Sequence, residues 1–218
     1  MQRDGLSGVE ISRSEKAYIS QGVELGIRGD GRGRLDYRGI MVDADGLAQA
    51  NGSSRISVAH GATDVLAAIK VEVGTPSPSA PAEGRIEVSV ECSNSLFPRF
   101  DERASGDLDA LLSQLLGGVI AESRALRLGE LCIVPGKWCW VVYVDVLILQ
   151  ANGGLLDAAS FAAYVALNTA RVPRVTLVTG ESGLGDDFEL SGDVADAAPI
   201  AGAKNAPICI SLSKVGGF

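Results

Sequence analysis

The chain has 218 residues, of which 46% are hydrophobic and 21% charged. That length suits one large domain or two small ones with a real core, and the composition excludes a disordered chain. A net charge of −8, with a sequence pI of about 4.7, argues against a free-standing, broadly nucleic-acid-binding protein, yet leaves room for a local basic patch.

The opening stretch, MQRDGLSGVE, has no apolar run of the secretory type. Ser12-Arg13-Ser14-Glu15 fits a capping box and predicts a short helix. Residues 26–39, GIRGDGRGRLDYRG, lack periodicity and read as an ordered loop. SSRISVAH and TDVLAAIKVEV read as strands, with Ala59-His60-Gly61-Ala62 as the turn between them. A proline-rich loop at 74–84 separates them from RIEVSVECS, where Ile86, Val88 and Val90 alternate with polar residues.

An amphipathic helix follows. Leu108, Leu111, Leu112, Leu115, Leu116, Val119 and Ile120 fall on one face, with Ser105 or Asp107 as its cap. Gly117 and Gly118 inside it cost about 1 kcal/mol each relative to alanine, which predicts close backbone packing there. ELCIVP and WCWVVYVDVLILQ read as strands, the second long and central. The latter carries Asp145 and is too short to span a bilayer, so no membrane partner is expected. A second helix is predicted over 157–170, its alanines allowing close approach to a sheet and Pro173 stopping it. RVTLVTG is a further strand, 180–206 an acidic, glycine-rich loop, and APICISLSKVGGF a closing strand in which Ile208, Ile210 and Leu212 share a face. Strands in runs with helices interposed make an α+β protein. A single domain over 1–218 is expected, with its core at 30–175 and a closing part at 207–218.

Few residues carry recognisable chemistry. The lone histidine, His60, sits at a turn and reads as a turn residue. GDGRGR at 29–34 has Arg34 at the third glycine position of a dinucleotide loop and no strand before it, so that motif is rejected. The four cysteines, Cys92, Cys132, Cys139 and Cys209, have no C-x-x-C spacing and read as free thiols rather than zinc ligands or a redox dithiol. Asp186, Asp187, Glu189, Asp193 and Asp196 do not match a calcium loop and read as a solvated acidic stretch. Arg28, Arg32, Arg34 and Arg38 either contact phosphate or fix their own loop by pairing with Asp30 and Asp36; the second reading is favoured. Arg99 and Arg103, in FPRFDERASGDL, could grip a single RNA strand or be plain surface charges.

One frame stands out. The central strand ends in Asn152-Gly153-Gly154, and a helix opens directly after it. That is the layout of an anion site, because free N–H groups point outward at a helix N-terminus. The positions that would face the anion hold Leu155, Leu156 and Asp157.

RGDGRGRLDYR, GSSRISVAHGATDVLAAIKVEVGTP, WCWVVYVDVLILQANGGLLDAASFAAYVALNTARVPRV and PICISLSKVG occur in this order, and together they resemble the RNase PH family. Within it they resemble the non-catalytic ring subunits of the RNA exosome. The resemblance implies an RNase PH-like fold with a β-α unit like domain 2 of ribosomal protein S5. In phosphorolytic members the turn after the central strand reads Gly-Gly-Thr-Arg, and that arginine binds the attacking phosphate. Here Gly153 and Gly154 are kept, while threonine and arginine become Leu155 and Leu156. Leucine offers no donor to a phosphate oxygen. Catalytic members also carry paired aspartates on a strand beyond the point where this chain stops, Phe218, so the resemblance implies a shortened member.

The expected function is structural. The chain would hold neighbouring RNase PH-like ring subunits, meet cap proteins, and support 3′–5′ processing and decay of RNA, including ribosomal RNA maturation, in nucleus, nucleolus and cytoplasm. Arg99 and Arg103 match the loop that faces RNA in related rings. No catalytic residue, cofactor or metal is expected. The alternative is a phosphorolytic 3′–5′ exoribonuclease, which would need arginine in place of Leu156.

Overall fold

The structure, a computed structural model, describes residues 11–96, 102–178 and 187–215. They gather into two compact units, one within residues 39–211 and one of residues 11–38 with 212–215.

In the smaller unit, α1 (Arg13–Glu24) begins where the capping box predicts, and the Ser12 hydroxyl accepts the Glu15 amide at 3.2 Å. Residues 26–39 form an ordered loop in which Arg32 pairs with Asp30 as favoured above, while Asp36 accepts the Gly33 amide with its carboxylate and meets Arg28 and Arg32 through its backbone carbonyl. The Arg32 Nε donates to Asp30 Oδ2 at 2.8 Å, and Arg28 and Arg32 both donate to the Asp36 carbonyl. The hydrogen bond from Arg32 keeps the Asp30 carboxyl below its ordinary range. Arg34 and Arg38 are engaged as well.

The larger unit is built on one mixed sheet. Its strands are β1 (Ile40–Ala44), β2 (Gly52–Val58), β3 (Thr63–Gly74), β4 (Arg85–Cys92), β5 (Cys132–Val134) and β6 (Trp138–Gln150), ordered β1-β2-β3-β6-β4 with β5 on the free side of β6's first residues. β6 is central as expected, antiparallel to β3 and parallel to β4. Trp140, Val142, Val144, Val146 and Ile148 point every second residue into the core, while Asp145 faces out. The helices α2 (Glu102–Glu122) and α3 (Leu155–Thr169) pack on this sheet, α2 against β4 and α3 against β2 and β3. Short pairs complete the unit: β7 (Arg171–Val172) with β10 (Ala198–Pro199), and β8 (Val175–Val178) with β9 (Asp187–Leu190).

α3 lies close to the sheet because both surfaces are small. Ala158, Ala159, Ala162, Ala163 and Ala166 are buried, and on β2 a Cβ at Gly52 would come within 2.4 Å of the Ala170 backbone. Ser54 Oγ donates to the Ala162 carbonyl at 2.7 Å, and the Ser53 amide donates to Thr169 Oγ1 at 3.1 Å. These bonds satisfy polar groups that the close approach removes from water.

Several expectations are corrected. β1 is absent from the sequence reading; all five of its residues are exposed, so it shows no alternation. α2 starts at Glu102, ahead of the predicted caps Ser105 and Asp107, and its buried face is narrower: Leu112, Leu116 and Ile120 are buried while Leu111 and Leu115 are exposed. Of Gly117 and Gly118 only Gly117 faces the sheet, near Val88; a Cβ at Gly118 would meet nothing within 4 Å. α3 starts two residues early. The 180–206 stretch contains β9 and β10 rather than loop alone. The closing strand does not form: residues 206–215 belong to no ladder, and Ile208, Ile210 and Leu212 are exposed.

Candidate functional site at the turn after the central strand

β6 ends at Gln150, and the chain reverses through Asn152-Gly153-Gly154 into α3. Gly153 and Gly154 have φ of +82° and +67°, a left-handed pair that favours glycine. Thr63, at the start of β3, clamps the turn. Its buried hydroxyl accepts the Asn152 amide and donates to the Gly153 carbonyl, each at 3.1 Å. Next to it Arg55 makes a two-pronged pair with Asp64, Nε to Oδ1 at 3.0 Å and a terminal nitrogen to Oδ2 at 2.6 Å. Thr63 therefore ties the turn to β3.

Its contents are apolar or already committed. Leu155 and Leu156 are half-buried and pack on the hydrophobic core. Asp157 is buried, and its carboxylate turns to the closing segment, accepting the Ser211 hydroxyl at 2.6 Å and the Ser211 amide at 3.0 Å. Ser160, one turn on, accepts the Cys209 amide at 2.9 Å. Two N–H groups that a strand neighbour would take are thus taken by side chains of a helix. No sequence signal connects Asp157 with Ser211, since 54 residues separate them.

α2 treats the sheet edge in the same way. Asp109 Oδ1 accepts the Cys92 amide at 2.9 Å, and Ser113 Oγ accepts the Val90 amide at 2.8 Å. In both places an aspartate and a later serine on one helix face receive alternate amides of an extended segment running against the helix. That occupies part of β4's free edge, which otherwise invites pairing.

Arg99 lies outside the described residues, as does the side chain of Arg103, whose backbone belongs to α2. Asp186 and the side chain of Asp187 lie outside them too. Asp193 caps a helical turn by accepting the Ala195 amide, and Asp196 accepts the Ser191 hydroxyl. Among the described residues no group of three or more His, Cys, Asp or Glu could hold a metal, and no helix is long and apolar enough to cross a membrane. His60 is an exposed turn residue with φ of +56°.

Comparison with known proteins agrees with this architecture. Residues 36–173 match the RNase PH family, the 3′ exoribonuclease family, domain 1. The exosome complex component Rrp42 of Thermococcus onnurineus is 35% identical over 97% of this chain and 75% of its own length. That of Methanopyrus kandleri is 31% identical over 95% and 74%. Among solved structures, the Archaeoglobus fulgidus exosome with RNA bound to the active site superposes with a TM-score of 0.61 at 30% identity, over 72% of this chain. An archaeal exosome core superposes with a TM-score of 0.60 at 27% identity, over 84% of this chain. This chain spans 61% and 65% of those two solved chains. With the family match covering most of its length and the same α+β fold, this chain belongs to the RNase PH family.

Proposed function

We propose that this chain is a non-catalytic subunit of an exosome ring. It holds neighbouring RNase PH-like subunits, meets cap proteins, and supports 3′–5′ processing and decay of RNA, ribosomal RNA maturation included. Its relatives named as exosome components support the assembly. The observation that carries the lack of catalysis is Leu156. It packs on the core in the first turn of α3, where phosphorolytic members are expected to present a phosphate-binding arginine. A leucine there supplies neither charge nor donor to a phosphate, and the Asp157 carboxylate beside it is bound to Ser211. Arg99 and Arg103 are the proposed RNA contacts, acting with the loops of neighbouring subunits. Nucleus, nucleolus and cytoplasm are the proposed places of action.

The experiment is co-purification of the tagged chain followed by mass spectrometry, with a phosphorolysis assay on the purified chain. Recovery of other RNase PH-like subunits, with no nucleoside diphosphate released from poly(A) above a mock preparation, is expected. Phosphate-dependent release above mock would establish the competing reading, a phosphorolytic exoribonuclease.

A further inference from the structure

Cys132 and Cys139 are seven residues apart, a spacing that matches no redox or metal motif. The fold sets them face to face. β5 turns back onto β6 through residues 135–137. Gly136 has φ of +76°, and the Lys137 amide donates to the Val134 carbonyl at 3.0 Å. A register irregularity between Cys132 and Val134 leaves Cys132 directly opposite Cys139, with Val134 opposite Trp138. Residues directly opposite on antiparallel strands share a face of the sheet, with Cα atoms about 4.5–5.5 Å apart. A disulfide accepts Cα separations of roughly 4.4–6.8 Å, a range that a directly opposed pair of this kind meets.

The two thiols differ in access. Cys139 is fully buried, between Cys132 of β5 and Gly74 of β3. Cys132 is partly exposed and lines a cleft of about 340 Å³ with Trp140, Val172 and Leu177. All four cysteines of the chain are free thiols. Burial pushes both of these thiols up; at Cys139 the Arg85 guanidinium opposes that, and Cys132 adds to it, as expected of near neighbours.

We propose that Cys132 and Cys139 form a reversible dithiol–disulfide switch that closes the β5–β6 hairpin. The oxidant is a hydroperoxide entering by the cleft. The Cys132 sulfur, giving up its proton to the leaving oxygen, attacks the O–O bond: an S–O bond forms, the O–O bond breaks, and Cys132 becomes a sulfenic acid as the remainder of the peroxide leaves as water or alcohol. The Cys139 sulfur then displaces the sulfenic hydroxyl, which leaves as water with the Cys139 proton. Two thiols lose two electrons and two protons, and the peroxide takes up both. Two equivalents of a small thiol reverse the step by exchange. Because one side of the pair is buried, the bridge forms within one chain. It fastens β5 to β6, the strand with which β5 pairs.

The test is hydrogen peroxide treatment of the whole folded chain, followed by thiol counting in denaturant and mapping of linked peptides. The expected result is a fall from four titratable thiols to two, a Cys132–Cys139 linked peptide, and recovery of four with dithiothreitol. In Cys139→Ser the sulfenic acid on Cys132 should persist and be trapped by dimedone; in Cys132→Ser no linked peptide should form. The double variant Cys92→Ser, Cys209→Ser should still form the bridge, which guards against misreading damage elsewhere. Four thiols surviving, links scattered among other cysteines, or over-oxidation of Cys132 without a link would each overturn the proposal.

Discussion

Asp157 Oδ1 accepts the Ser211 hydroxyl at 2.6 Å while its Oδ2 accepts the Ser211 amide at 3.0 Å. One buried carboxylate in the first turns of α3 thus anchors a segment that no strand holds. Changing Asp157 to Asn keeps the shape but removes the charge and presents an NH₂ group to at least one donor. We expect a stability loss of about 1–3 kcal/mol, and amide exchange at Cys209 and Ser211 accelerating before exchange in β6. Ser211→Ala should cost less, because the amide bond survives. Unchanged exchange at both amides in Asp157→Asn would show that the segment is held by something else.

Two glycines should respond in opposite directions. At Gly52 an added methyl meets the Ala170 Cα and amide nitrogen at 2.4 Å and the Ala166 carbonyl oxygen at 2.6 Å, all backbone atoms that cannot rotate away. Gly52→Ala should therefore push β2 and α3 apart and cost roughly 1–3 kcal/mol. At Gly118 there is open space and a helical backbone. Gly118→Ala should stabilise by up to about 1 kcal/mol. Denaturant midpoints of the two variants decide it; a shift of the same sign in both would contradict the packing described for α3 or α2.

These pairs also show what sequence can carry. The alternation of β4, the long apolar run of β6, the turn at 59–62 and the alanine face of α3 are periodic or local, and each was legible. The Gly-Gly frame was legible too, with Leu156 standing in it. β1 was not, because Ile40, Met41 and Val42 are exposed and a strand without a buried face has no pattern to read. The closing segment misled for the opposite reason. Ile208, Ile210 and Leu212 alternate as a strand would, but they are exposed, the Cys209 and Ser211 amides go to Ser160 and Asp157 on a helix, and hydrogen-bond partners leave no mark in hydropathy. Cys132 and Cys139 read as unrelated because a one-residue register irregularity sets their pairing.

Cys92 supplies a pH prediction. Burial, then the hydrogen bond to Asp109 and that residue's charge, push its thiol up to about 12 from an ordinary 9.0. A folded-state value raised in this way contributes stability that is whole below the unfolded value and is lost as pH rises towards the folded one. Cys92→Ser keeps a hydroxyl to donate to Asp109, and that hydroxyl does not titrate in this range. Between about pH 8 and pH 10.5 the thermal midpoint of the parent should fall more steeply than that of the variant, since lysine and tyrosine titration is common to both. Parallel curves would sink the assignment of Cys92 as a proton holder.

The last prediction concerns RNA. Arg99 and Arg103 flank Phe100 in a chain of net charge −8, so on its own this protein repels a polyanion while two local cations could still serve a shared surface. Their effect should appear only when other subunits add basic loops around the same strand. In a reconstituted ring, changing both to Glu should weaken RNA crosslinking and lower the slope of log affinity against log salt by up to about 1 per lost phosphate contact. The isolated chain should bind RNA negligibly before and after the change, which separates a contact made in the assembly from a binding module carried by the chain. Unchanged affinity and unchanged salt slope in the ring would make both arginines ordinary surface charges, and would leave the subunit's part in RNA handling to the partners it holds.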